Sequence, residues 1–220
     1  DITDRETAHT WAKAVEGHLA GIKLGLEFYL SAGAAGYNRV AEAGLPIFLD
    51  LKLHDIPNTV AGGIKAIAPL KPAFLTLHGL GGYDMLARAS EAAARYCPDT
   101  KLLAVTVLTS MDGDDLTRIG VPASPLEAVL QLGDMAVEAG VHGLVCSPFE
   151  VAALRSQLGS RPFLMVPGVR PAGSSKGDQK RVMTPLEAVS AGASALVIGR
   201  PITQAANPAE AAASIQASLR

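Results

Sequence analysis

The chain has few cysteines, few aromatic residues and no excess of either charge, and each scarcity excludes a class of protein. Cys97 and Cys146 are too few for a disulfide framework or a four-ligand zinc site, so we expect two reduced structural thiols in a cytoplasmic protein. The 19 Lys and Arg nearly balance the 21 Asp and Glu, unlike a nucleic-acid-binding protein or an acidic disordered tail. No apolar run reaches the roughly 18 residues of a membrane span, and no signal segment is recognisable.

Hydrophobic residues, mostly Ala, Leu, Val and Ile, make up 49% of the 220 residues, a composition typical of helices packed on a buried sheet. Short apolar runs alternate with helix-sized segments, and this alternation predicts repeated βα units and a parallel sheet. The seven runs are 21–24, 46–51, 73–77, 102–108, 143–146, 163–166 and 195–198.

Seven strands and eight helices are one strand short of a (β/α)8 TIM barrel. We therefore expect an α/β fold with a single barrel domain over residues 1–220, and most of the first strand upstream of residue 1. An open doubly wound sheet is the alternative, but no GxGxxG motif follows any predicted strand.

Several predicted helices begin with one pattern, in which a capping residue is followed three positions later by Glu. The five predicted starts are Thr3–Glu6, Ser124–Glu127, Ser147–Glu150, Thr184–Glu187 and Asn207–Glu210.

The charged residues of interest lie at predicted strand ends, where barrels of this kind carry their active sites. Asp50 and Lys52 alternate with leucines, so both side chains point to one face of the strand. A structural ion pair would explain these two charges. Asp55, three residues further on, and Lys23, in the preceding apolar run, exceed what one pair requires, so we expect an alternating Lys–Asp–Lys–Asp array.

The end of the chain has the features of a phosphate site. Gly199 and Arg200 follow the last predicted strand and precede a helix, where backbone N–H groups and a guanidinium can hold an anion. The long polar segment 168–180, with Arg170 and Gln179, is expected to form a mobile lid, although a disordered surface loop is the alternative. Thr109 and Ser110 offer hydroxyls to a polar ligand, whereas His54 and His78 are expected to be structural.

Several separated motifs together resemble the bacterial orotidine 5′-phosphate decarboxylases. The motifs are residues 21–27, 50–59, 108–110, 167–170, 178–179 and 198–200. The resemblance implies a homodimeric barrel that decarboxylates orotidine 5′-monophosphate to UMP in de novo pyrimidine biosynthesis, without a metal or an organic cofactor. Lys52 is then the proton donor to C6, and Asp50, Lys23 and Asp55 complete the catalytic array.

The resemblance also assigns the substrate contacts. Asp1 and Lys23 would bind the ribose, Asp50 would lie near the substrate carboxylate, and Asp55 and Thr59 would reach the partner subunit's site. The pyrimidine contacts would be Thr109 and Ser110, and the phosphate contacts Arg170, Gln179, Gly199 and Arg200.

Two other functions compete with this interpretation. Related barrels share the Asp-x-Lys-x-x-Asp pattern and act on phosphorylated sugars with Mg²⁺, as decarboxylases or aldolases. A non-catalytic nucleotide-binding barrel is the third possibility, and it would need Arg200 but not Lys52.

Overall fold

Seven short parallel strands form one sheet in the order of the chain. The computed structural model describes residues 2–171 and 183–219. Its strands are β1 (Ile22–Gly25), β2 (Ile47–Leu53), β3 (Phe74–His78), β4 (Lys101–Val105), β5 (Gly143–Val145), β6 (Phe163–Val166) and β7 (Ala195–Leu196). All seven predicted strands are present, and the runs 102–108 and 195–198 form shorter strands than their apolar length suggested.

Helices alternate with the strands, which confirms the α/β fold of the TIM-barrel type. They are α1 (Arg5–Ala14), α2 (Leu26–Ala41), α3 (Pro57–Ile67), α4 (Tyr83–Tyr96), α5 (Gly113–Arg118), α6 (Pro125–Glu138), α7 (Val151–Leu158), α8 (Pro185–Ser190), α9 (Arg200–Thr203) and α10 (Pro208–Ala217). The described residues thus contain two more helices than expected, because the short α5 and α9 lie in the loops after β4 and β7. None of the helices in these ranges is long and apolar enough to cross a membrane.

Three of the predicted helix starts are correct. Ser124 and Thr184 form reciprocal capping boxes with the Glu three residues later, and the Asn207 side chain accepts the N–H groups of residues 209 and 210. Each cap satisfies backbone donors that the first turn of a helix leaves unpaired.

The other two predicted starts are wrong. Asp4, and not Thr3, caps α1, because its carboxylate accepts both the N–H and the hydroxyl of Thr7, at 2.8 and 2.6 Å. Ser147 lies in a turn in which its hydroxyl accepts the Phe149 N–H, and α7 begins only at Val151.

The core has two layers because alternate strand residues face opposite sides of the sheet. Phe48, Leu103 and Met165 pack together inside the barrel, whereas Leu49 and Leu102 pack outward against the helices. The inward positions next along β2 after Phe48 are Asp50 and Lys52. The strand therefore carries these two charges to the carboxyl-terminal mouth of the barrel.

A gap separates the two ends of the sheet. In the described residues β1 pairs with β2 and β7 pairs with β6, and a cavity of about 410 Å³ lies between β1 and β7. Residues 20–23 and 194–198 line much of its wall, together with apolar side chains of α10. That the first barrel strand lies upstream of residue 1 stays a prediction.

Candidate active site

Three of the four predicted charged residues meet at the mouth of the barrel. The Asp50 side chain, in a residue only 9% exposed, lies between two lysines. Its Oδ1 is 2.9 Å from the Lys52 Nζ, and its Oδ2 is 3.3 Å from the Lys23 Nζ. Both lysine side chains are about one-third exposed or less, at 33% and 28%. One carboxylate therefore holds two ammonium groups at the edge of the barrel interior.

The two lysines decide the charge state of Asp50. Burial alone would raise the pKa of its carboxyl, but the charges of Lys23 and Lys52 and the hydrogen bonds from Lys52 and Thr76 outweigh it. The net effect is a pKa below the ordinary value of 3.8. Asp50 is thus a carboxylate at neutral pH, and the cluster has a net positive charge.

The backbone at Lys52 is unusual. Its φ of 50° places a non-glycine residue in the left-handed region. The register between β2 and β3 also shifts here, because Leu49 pairs with Leu75 while Leu53 pairs with Leu77. The Lys52 N–H donates to the Oγ1 of Thr76 at 2.8 Å. A strained backbone at a charged residue in a cleft is a frequent mark of a functional site.

Thr76 is a residue of this site that the sequence patterns did not predict. It is fully buried on β3, and its hydroxyl donates to the Asp50 Oδ1 at 3.0 Å. The available signal was weak: a threonine at the inward position between Phe74 and His78 in an otherwise apolar strand.

Asp55 and Thr59 lie outside this cluster in their own protomer. Asp55 is exposed, its carboxylate accepts the Ile56 N–H at 2.7 Å, and it makes no ion pair within the described part of the chain. Thr59 is exposed in the first turn of α3. Within one protomer, Lys23, Asp50 and Lys52 therefore form the cluster, and the part of Asp55 in the array stays a prediction.

A cavity of about 230 Å³ covers the charged cluster. The residues that line it include the charged side chains of Lys23, Asp50 and Lys52, and the loop residues Thr109 and Pro167. A neighbouring cavity of about 440 Å³ shares residues 107–109 and extends to Asp112, Ser147 and Glu150. Thr109 thus borders both cavities, whereas Ser110 is an exposed turn residue that lines neither of them.

The predicted phosphate residues differ in their surroundings. Gly199 is the N-cap residue of α9, with Arg200 as its first residue, and both are exposed. Arg170 is only 7% exposed, and its guanidinium donates to the Val169 carbonyl at 2.9 Å. Asp1, Gln179 and residues 172–180 of the predicted lid lie outside the described residues.

Two histidines stack beside the cluster. The rings of His54 and His78 are 5.2 Å apart at an interplanar angle of 21°. The His78 Nδ1 accepts the Leu80 N–H, which fits the structural role expected for it. Burial lowers the pKa of His78, and the neighbouring His54 and Lys52 lower it further. Within residues 2–171 and 183–219, no three His, Cys, Asp or Glu side chains converge to hold a metal ion.

A parallel α/β barrel with a lysine–aspartate–lysine cluster at its carboxyl-terminal mouth has the architecture of a TIM-barrel enzyme, whose active site lies at that end of the strands. The chain belongs to the orotidine 5′-phosphate decarboxylase / HUMPS family, whose model matches residues 1–215.

Individual relatives agree with this assignment. The chain is 53% identical over 223 residues to the orotidine 5′-phosphate decarboxylase of Gluconobacter oxydans, covering 100% of this chain and 94% of the relative. It is 51% identical to that of Thermobifida fusca, covering 100% and 93%. The crystal structure of the Lactobacillus acidophilus orotidine 5′-phosphate decarboxylase aligns with a TM-score of 0.87 at 37% identity, covering 100% and 96%.

Proposed function

We propose that the chain decarboxylates orotidine 5′-monophosphate to UMP and CO₂ in de novo pyrimidine biosynthesis. The observation that carries this proposal is the Lys52 ammonium, held 2.9 Å from a buried carboxylate and lining a cavity at the barrel mouth. Family membership indicates the substrate, and the charged cluster provides the ammonium group that the decarboxylation needs.

The reaction breaks the bond between C6 and the carboxylate carbon, and the electron pair of that bond stays on C6. No adjacent carbonyl can delocalise this carbanion, so a fixed positive charge must stabilise it. The Lys52 ammonium stabilises the developing negative charge and then donates a proton to C6, which gives UMP. Asp50 holds that ammonium in place, and its other oxygen holds Lys23 at the same mouth.

The remaining substrate contacts are proposed from the residues that line the cavity and from the family resemblance. Lys23 and Thr109 both line it, and the family resemblance assigns Lys23 to the ribose and Thr109 to the pyrimidine, with Ser110 next to Thr109. Gly199 and Arg200 follow β7 at the same end of the barrel and hold the phosphate, together with Arg170. Asp1 and Gln179 are proposed from the family resemblance alone, as is closure of residues 168–180 over the phosphate.

We propose further that the enzyme is a homodimer whose partner subunits share each active site through Asp55 and Thr59. Both residues are exposed next to Ile56, which is itself 68% exposed. Exposed apolar side chains also follow the neighbouring strands β1 and β3, with Leu30 at 80% exposure. Exposed apolar side chains of this kind, together with an exposed acidic residue, suit a two-fold interface that carries Asp55 into the partner's site. A cytoplasmic location is proposed because Cys97 and Cys146 are unpaired and buried.

Turnover of orotidine 5′-monophosphate, followed as loss of its ultraviolet absorbance, tests the decarboxylase function. We expect turnover by the wild-type chain, full activity in excess chelator, and none by Lys52→Ala. Absence of turnover, together with chelator-sensitive activity on a phosphorylated sugar, would instead establish the metal-dependent alternative. Binding of UMP without any turnover by the wild-type chain would establish the non-catalytic one.

A further inference from the structure

The most informative buried side chain outside the substrate contacts is Thr76, at the centre of β3. It is fully buried, and its position between the inward-facing Phe74 and His78 directs it to the barrel interior. A hydroxyl at such a site needs hydrogen-bond partners, because an unsatisfied buried polar group is costly.

The hydroxyl of Thr76 contacts the backbone of Lys52 and the carboxylate that holds the Lys52 ammonium. It accepts the Lys52 backbone N–H at 2.8 Å and donates its own hydrogen to the Asp50 Oδ1 at 3.0 Å. The same carboxylate oxygen accepts a hydrogen bond from the Lys52 Nζ at 2.9 Å. One side chain therefore joins the main chain of Lys52 to the carboxylate that holds its ammonium.

The irregular pairing of the two strands explains why a side chain is needed here. Leu49 pairs with Leu75 and Leu53 pairs with Leu77, so β2 advances four residues where β3 advances only two. The Lys52 N–H, in a residue with a φ of 50°, donates to the Thr76 hydroxyl in place of a β3 carbonyl. Thr76 thus anchors the bulge in β2 that carries the lysine.

We infer that Thr76 is a positioning residue for the decarboxylation: it holds Lys52 in its left-handed conformation and fixes Asp50, so that the ammonium points into the cavity. This inference rests on the proposed function, because it assigns Thr76 to the same reaction. Thr76 is not among the residues that line the cavity over the cluster, so it acts through Lys52 and Asp50.

The test compares Thr76→Val, which keeps the shape and removes the hydroxyl, with Thr76→Ser, which keeps the hydroxyl. Thr106→Val is the matched control, because Thr106 is equally buried and donates its hydroxyl to the Val145 carbonyl at 2.9 Å. We expect Thr76→Val to lower kcat about 10- to 100-fold, with KM and the UMP dissociation constant within about threefold of wild type. Thr76→Ser and Thr106→Val should keep kcat within about threefold of wild type.

A pH profile separates positioning from loss of structure. The Thr76 hydrogen bond helps to lower the pKa of Asp50, so its removal raises that pKa and moves the acid limb of kcat to higher pH. Thr106→Val should leave this limb unchanged. If Thr76→Val is too unstable to assay, Thr76→Ala takes its place with the same expectations.

Two results would overturn the inference: a folded variant lacking the hydroxyl with wild-type kcat and acid limb, or equal losses in the Thr76 and Thr106 variants. The wild-type assay keeps the two proposals apart. If the wild-type chain does not turn over orotidine 5′-monophosphate, it is the proposed function that fails.

Discussion

Mixing two inactive variants, Lys52→Ala and Asp55→Ala, tests whether the active site is shared between subunits. Asp55 is exposed and makes no ion pair with the lysines in the described part of its own protomer. The next residues are Ile56 and Pro57, and the proline disfavours a helical conformation at Ile56, which has a ψ of 153°. The chain therefore continues in a non-helical conformation immediately after Asp55, which suits the proposed reach of Asp55 into a partner subunit's site.

The expected activity follows from counting sites. In a heterodimer, one site receives both lesions and the other receives wild-type Lys52 from one subunit and wild-type Asp55 from its partner. Each heterodimer then has about half of the wild-type activity, and random pairing of equal amounts gives about a quarter in the mixture. Two affinity tags and tandem purification isolate the heterodimer, whose turnover is then measured by ultraviolet absorbance.

The matched control mixes Lys52→Ala with Asp50→Ala. Because the Asp50 carboxylate contacts the Lys52 ammonium within one protomer, each site of that heterodimer carries one of the lesions. No activity should return. Lack of recovery in the purified Lys52→Ala/Asp55→Ala heterodimer would refute the shared site and place Asp55 in its own subunit's site.

Three further predictions concern single variants. Lys52→Ala should abolish turnover while calorimetry still detects UMP binding, because the lysine serves the transition state; a parallel loss of binding would contradict this. Arg200→Ala should raise KM about 10- to 100-fold, because a charged hydrogen bond to phosphate is worth about 1.5–3 kcal/mol, and an unchanged KM would remove Arg200 from the site. Asp50→Asn should have a lower free energy of unfolding than wild type at pH 7, and the difference between the two proteins should shrink as the pH falls. The folded-state pKa of Asp50 lies below its ordinary value of 3.8, so its contribution is complete above that pH and is lost as the pH falls through the folded-state pKa. Denaturant unfolding from pH 7 to pH 3 measures this, and a constant difference between the two proteins would contradict it.

Local patterns predicted the strands and most helix starts because both depend on neighbouring residues. The apolar runs and the capping boxes at Ser124 and Thr184 are examples. The two wrong starts depend on neighbouring residues that can form alternative hydrogen bonds. Asp4, next to Thr3, caps α1 with its carboxylate, and the Ser147 hydroxyl accepts a hydrogen bond within a turn. Two short helices, α5 and α9, were missed because they lie inside loops.

Contacts between distant residues were beyond the sequence patterns. Thr76 is 24 residues from Lys52 and 26 from Asp50, so nothing near it in the chain indicates its partners. The burial of Arg170 also depends on a residue that is distant in the chain. Its backbone N–H donates to the carbonyl of Met183, which lies beyond the segment expected to form a mobile lid or, alternatively, a disordered surface loop. Residue types identified the charged cluster, whereas its supporting contacts depend on the sheet.

Asp50 and Lys52 lie on the same face of β2, as their alternation with leucines predicted, even though β2 is irregular at that point. An insertion of one residue would have turned every later side chain of β2 to the opposite face of the sheet. The bulge instead adds two residues relative to β3, and an even number preserves the alternation. Leu51 and Leu53 accordingly still pack against the outer core together with Leu49. The bulge can therefore change the backbone conformation at Lys52 and the direction of its ammonium without moving any leucine into the barrel.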